Sequence, residues 1–147
     1  MRIAVLLMAL LASQVSAAET FTEHVKNLWN ENRKEDLSRI VQQRLQSNPN
    51  DFAALLIEMD YEMAFLTLEN LPKTFDRLEA VGNAATTPRL KGVWPDVRAF
   101  IKIARPTVSE YTPQQLAKDR KKAALGKTPM PFLYVLQAAE DDGLVKP

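Results

Sequence analysis

The stretch from Phe52 to Leu68, FAALLIEMDYEMAFLTL, places apolar side chains on nearly every side of a helical wheel. A helix of this kind is buried around most of its circumference, so the rest of the chain must supply neighbours on several sides of it. Its length approaches that of a membrane span. However, Glu58, Asp60 and Glu62 occupy its middle, where each charge costs roughly 3 kcal/mol even on lenient insertion scales. The stretch therefore reads as the central helix of a soluble all-α domain with no transmembrane anchor.

The flanking sequence supplies further amphipathic helices. Thr20 and Glu23 have the spacing of a capping box, and Phe21, Val25, Leu28 and Trp29 then form one apolar stripe. After a polar break at 32–34, Leu37, Ile40, Val41 and Leu45 form a second stripe, which Ser47-Asn48-Pro49-Asn50 ends before Asp51 caps the central helix. So short a break predicts an antiparallel hairpin. Asn70 caps a fourth helix with Pro72 in its first turn and a stripe of Leu71, Phe75, Leu78 and Val81; Gly82 is placed to end it. A loop of small residues at 83–87 follows.

Beyond it, Leu90, Val93, Trp94, Val97, Ile101 and Ala104 keep a stripe that Pro95 interrupts, which predicts either a kink or two helices, and Arg105-Pro106 stops it. Thr112-Pro113 opens a helix running through Leu116, Arg120 and Ala123 to Gly126. Thr128-Pro129 opens a last one through Phe132, Leu133, Val135, Leu136 and Ala139. Strand signals are missing: no β-branched alternation and no hairpin turn pair occurs.

The first half resembles a tetratricopeptide repeat. With Pro49 in the place of that repeat's near-terminal proline, the unit runs from Ala18 to Asp51, close to the family's period of about 34 residues. Phe21, Val25 and Leu28 match apolar positions of the first helix, and Leu37, Val41 and Leu45 those of the second; a second unit begins at Phe52. Val25 and Leu37 stand where the family uses Gly and Ala, and Glu58 and Glu62 stand where it uses apolar or aromatic residues. The resemblance implies an inner surface that takes an extended peptide, carrying Thr22, Lys26, Trp29 and Asn30 from the first helix and Leu56, Asp60 and Met63 from the central one.

The N-terminus reads as a secretory signal peptide over residues 1–17. Arg2 precedes an apolar run from Ile3 to Ala12, and Val15-Ser16-Ala17 has the small residues a signal peptidase reads, with cleavage after Ala17. The chain is thus expected to be exported to a bacterial periplasm or the medium. It has no cysteine, so its core must hold it without disulfides. The mature portion, of a size that buries about two thirds of its unfolded surface, divides into tetratricopeptide-like hairpins over 18–85 and a C-terminal helical segment over 86–147, packed as one domain. Residues 18–85 carry 7 basic against 12 acidic side chains and residues 86–147 carry 11 against 6, a split of −5 and +5. Such a chain is suited to docking its halves on each other or to self-association as a homo-oligomer, and its overall neutrality disfavours nucleic acid.

Chemistry is sparse. His24 is the sole histidine and reads as a solvated surface residue; no cofactor is expected, and zinc lacks ligands. Glu58, Glu62 and Glu69 fall within about 40° on the central helix, which reads as the one wet face of a mostly buried helix. Paired carboxylates at i and i+4 are also a metal or acid–base arrangement, though the Glu-x-x-His elements of bundle metal sites are missing. Lys118, Arg120, Lys121, Lys122 and Lys127 form a basic segment suited to an anionic surface, or simply a solvated helix face. Together these features predict a non-catalytic module that binds a protein or peptide. A self-associating structural protein, or a carboxylate-dependent hydrolase or lyase acting on a wall polymer, are the alternatives.

Overall fold

The computed structural model describes residues 19–146; the expected leader and its cleavage point lie outside them. The chain is all-α, and no strand occurs among the described residues. Seven helices follow in order among the described residues: α1 (Phe21–Asn30), α2 (Lys34–Ser47), α3 (Phe52–Phe65), α4 (Leu71–Ala84), α5 (Pro88–Ser109), α6 (Pro113–Arg120) and α7 (Leu133–Asp141).

Local side-chain caps set three of the seven starts. Thr20 and Glu23 close the capping box reciprocally, each side chain accepting the other's amide at 3.2 Å. Asp51 accepts the Ala54 amide at 2.9 Å, and Thr112 that of Gln115 at 3.2 Å. Asn70 precedes α4 without a side-chain cap, contrary to expectation.

The ends depart further from the sequence pattern. The central helix stops at Phe65 rather than Leu68, because Leu66 turns left-handed at φ 55° and the Thr67 amide closes back on the Glu62 carbonyl. Gly82 does not end α4. It lies inside the helix as a seat for the Trp94 indole, which a Cβ would overlap. Pro95 and Pro106 both lie within one helix, α5, whose buried stripe of Leu90, Trp94, Val97, Ile101 and Ala104 carries it through both interruptions. α6 ends at Arg120 instead of Gly126, and residues 121–132 form turns that lead into α7.

Packing joins α1 to α2, α2 to α3, α3 to α4 and α4 to α5; α7 then closes the ring by contacting α5, α1 and α3. α3 thus has neighbours on three sides, as its composition demands, and Phe52 to Ile57 is an unbroken buried run. Its centre is Leu55, Leu56, Ile57 and Met59 against Leu37, Phe75, Leu78 and Leu136, each such side chain contributing about 1.5–3 kcal/mol.

Two carboxylates at the end of α7 lock the ring. Glu140 accepts the amides of Phe21 and Thr22 at 3.1 and 2.8 Å and the Thr22 hydroxyl at 2.7 Å, so it caps α1 from across the fold. Asp142 does the same for α5, accepting the Arg89 and Leu90 amides at 2.8 and 3.0 Å. Burial acts to raise the Asp142 pKa, but these amides and the Arg89 charge outweigh it and leave the carboxyl below its ordinary value.

Candidate functional site

The peptide surface expected on α1 and α3 is closed by the chain itself. Of its seven residues, Thr22, Trp29, Leu56 and Asp60 are buried, Met63 is half-buried, and only Lys26 and Asn30 face solvent. The occupant is the segment from Leu125 through α7. The Trp29 indole donates to the Thr128 carbonyl at 2.9 Å, and Asp60 accepts the Phe132 amide at 3.3 Å. Asn32 accepts the Leu125 amide at 2.9 Å. Leu125, Met130, Phe132, Val135 and Leu136 bury their side chains there. The physical reason is that α3 is apolar all round, and the side left uncovered by α2 and α4 needs an apolar neighbour. What remains open is a 500 Å³ depression beside Thr22, Lys26, Leu133 and Tyr134. Burial pushes the Asp60 carboxyl up to about 8, with the single Phe132 amide opposing it.

The basic segment is only partly a free surface. All five of its residues are exposed, but Arg120 donates twice to the Leu66 carbonyl, at 3.0 and 2.8 Å, and pairs with Glu69 at 3.4 Å. It thereby satisfies the end of α3, and Lys127 turns back to the Lys122 carbonyl. Lys118, Lys121 and Lys122 are left facing solvent. His24 is exposed and lies 3.1 Å from Glu19.

On the other side of α3, polar residues meet across three helices. α2 presents Ser38, Gln42 and Gln46, spaced one turn apart; α3 presents Glu58, Tyr61 and Glu62; α4 presents Lys73, Thr74 and Arg77, with Asn70 just before it. Between them runs a cleft. A 200 Å³ inner cavity is bounded by Ser38, Gln42, Glu58, Glu62, Thr67 and Asn70, and a 420 Å³ outer cavity shares Gln42, Glu58 and Asn70 with it and adds Lys73 and Arg77. A 550 Å³ recess toward Lys34, Arg39 and Phe65 continues along α2.

The expected wet strip is therefore divided. Glu69 is exposed, Glu58 is half-buried, and Glu62 is only 5% exposed. The Thr74 hydroxyl donates to Glu62 Oε1 at 2.5 Å, while Oε2 is buried with no hydrogen-bond partner in the protein. Burial pushes Glu62 up to about 7; the Thr74 hydrogen bond opposes this and the Glu58 charge adds to it. Glu58 is also raised by burial, with the Arg77 charge opposing. Near neutral pH the Glu62 carboxyl is thus present in both forms, able to donate a proton or to accept a hydrogen bond.

Sequence reasoning singled out Glu58 and Glu62 but not the residues that enclose them. The i, i+4, i+8 series Ser38, Gln42 and Gln46, together with Thr74 among apolar neighbours, is the signal that points to the cleft. No group of three or more His, Asp or Glu side chains placed to hold a metal ion occurs among the described residues. Comparison of the chain with known protein families, with curated proteins and with solved structures finds no match, so its function has to be read from the cleft itself.

Proposed function

We propose that the chain is an exported, non-catalytic peptide-binding module of the bacterial cell envelope, and that it binds in the α2–α3–α4 cleft rather than on the face covered by α7. The observation that carries this reading is Glu62, whose side chain borders the 200 Å³ cavity and whose Oε2 is buried with no hydrogen-bond partner in the protein. Leaving such an atom unpaired costs roughly 1–3 kcal/mol or more for a charged group, a cost that a ligand donor would remove on binding. The amides of Gln42 and Asn70 and the hydroxyl of Ser38 offer the mixed donors and acceptors that a peptide backbone requires. Export rests on the first seventeen residues, and its check is the N-terminal sequence of the protein recovered from the periplasm, expected to begin at Ala18.

The binding reading is tested by equilibrium dialysis of the protein against a mixture of short peptides, with bound species identified by mass spectrometry. Retention by the native chain and its loss in Glu62→Gln and Gln42→Ala supports the cleft; equal retention by all three refutes it. A second reading has one observation in its favour: Glu62, pushed up to about 7 by burial, stands one turn from Glu58, as an acid–base pair would. On that reading the chain is a hydrolase or lyase, and Glu62→Gln would keep the ligand while abolishing its turnover.

A further inference from the structure

Charge is unevenly distributed along the cleft. Glu62 borders only the inner cavity, Glu58 borders both, and Lys73 and Arg77 line only the outer one. The Thr74 hydroxyl touches Glu62, and Arg77 stands three residues further along α4, a rise of about 4.5 Å. Neither Lys73 nor Arg77 forms a salt bridge within 4.0 Å among the described residues. With both bases at the outer end and Glu62 at the inner one, the cleft is dipolar in arrangement. Such a site favours a ligand that is itself neutral and dipolar over one of net charge.

Resting on the peptide-binding reading above, we propose that this cleft takes a small zwitterion of dipeptide size, its free ammonium at the Glu62 carboxyl and its carboxylate at Lys73 and Arg77. Each part of the geometry fits that class. Oε2 lacks a donor, and a primary ammonium supplies three. The charged ends of an extended dipeptide stand about 7 Å apart, so it would reach from the inner cavity into the outer one that shares Gln42, Glu58 and Asn70 with it. Gln42 and Asn70 border both cavities and face the position its central amide would take. A carbohydrate fits less well. The aromatic shelf it would stack on is Phe65 beside Tyr61, and Lys34 already lies over the Phe65 ring at 5.7 Å from its centroid. Sugar hydroxyls also give no reason for separated charges.

The test uses the full chain and three probes: L-alanyl-L-alanine, its N-acetyl derivative and its C-terminal amide. Binding is followed by the amide NMR shifts of Gln42, Thr67, Asn70 and Thr74. The zwitterion is expected to shift these amides, and either modification to weaken binding about tenfold or more, since each removes a charge-assisted contact. Glu62→Gln should reproduce the loss seen on acetylation. The comparison among probes on the native chain requires no variant to fold. If the acetylated and amidated dipeptides bind at these residues as well as the free one, the ammonium assignment is overturned while the peptide cleft survives. If none of the three moves them, but a longer peptide blocked at both ends does, the size and end recognition are wrong and the cleft again survives. If no peptide of either kind moves them, this inference and the binding reading fall together.

Discussion

Replacement of Asp60 by Asn should stabilise the protein at neutral and alkaline pH, by an amount that grows as pH rises. Asp60 is 2% exposed beneath Phe132, the residue that leads into α7, and its pKa is pushed from 3.8 to about 8 by burial. In the unfolded chain the carboxyl ionises near pH 4; in the folded chain it stays protonated until near pH 8. Between those values the folded state holds one proton more, so stability falls with rising pH by about 1.4 kcal/mol per unit. The contribution is whole below the unfolded pKa and is lost as pH climbs through the folded one. From pH 5 to pH 8 the native chain should lose about 3–4 kcal/mol through this residue.

Asn has the same shape, still accepts the Phe132 amide and does not titrate, so the loss disappears. Glu62, raised to about 7, adds a decline of the same sign up to neutral pH, but it does so in both proteins and cancels in their difference. Urea unfolding followed by circular dichroism at pH 5, 6, 7 and 8, at constant ionic strength, measures that difference. An Asp60→Asn advantage that widens steadily to about 2–4 kcal/mol at pH 8 is the expected outcome. A difference that stays constant across the range would refute the buried, protonated Asp60.

Other consequences are independent of this one. Gly82→Ala places a methyl group in the Trp94 indole and should cost about 1–3 kcal/mol, with Trp94 fluorescence shifting as the ring is displaced. Glu140→Ala removes the cap that α7 lends to α1 and should cost about 1–2 kcal/mol, with faster hydrogen exchange at the Phe21 and Thr22 amides. Glu62→Met should raise stability by about 1–3 kcal/mol at pH 8 while abolishing ligand binding, measured by urea unfolding and the dipeptide titration. The acidic and basic halves meet inside the chain, where Arg105 reaches Asp76 and Glu79 at 2.9 and 3.0 Å and Arg120 reaches Glu69. Sedimentation should therefore give a monomer mass that does not change with concentration or salt; a mass that rises with concentration would favour the self-associating alternative.

The fold class and the identity of the central helix were legible because both rest on apolar periodicity, and α3 could not be covered except on several sides. The terminal caps at Thr20, Asp51 and Thr112 were legible for the same local reason. What the pattern could not disclose was order in space. Nothing in the spacing of Val135, Leu136 and Ala139 says that α7 returns to α1, so the surface implied on α1 and α3 was read as open when the chain's own end fills it. Proline and glycine misled in a related way. Gly82 looks like a helix terminator until the indole it accommodates is placed beside it, and Pro106 looks like a stop until the buried stripe through Ala104 is seen to hold the helix. The carboxylate pair was visible as a spacing, whereas its enclosure depended on which faces of α2 and α4 turned inward.

The two buried acids of α3 are set on opposite sides of the helix, since two residues correspond to about 200° of rotation. Asp60 points to the side that α7 covers, and Glu62 to the side where α2 and α4 part. Each withdraws stability from a helix that could have been wholly apolar, and each is held in or near its neutral form by burial, yet their surroundings differ in kind. The Phe132 amide on the covering segment meets Asp60, which ties the carboxyl to closure of the fold. Glu62 keeps one oxygen satisfied by Thr74 and the other unpaired beside a cavity with cationic residues at its far end. A carboxyl serving only to fasten α3 to α4 would need the Thr74 contact and nothing more, and the cavity would close over it. On the proposed reading, the oxygen that the protein leaves unpaired, beside an open cleft, is the arrangement whose cost a bound ligand would offset.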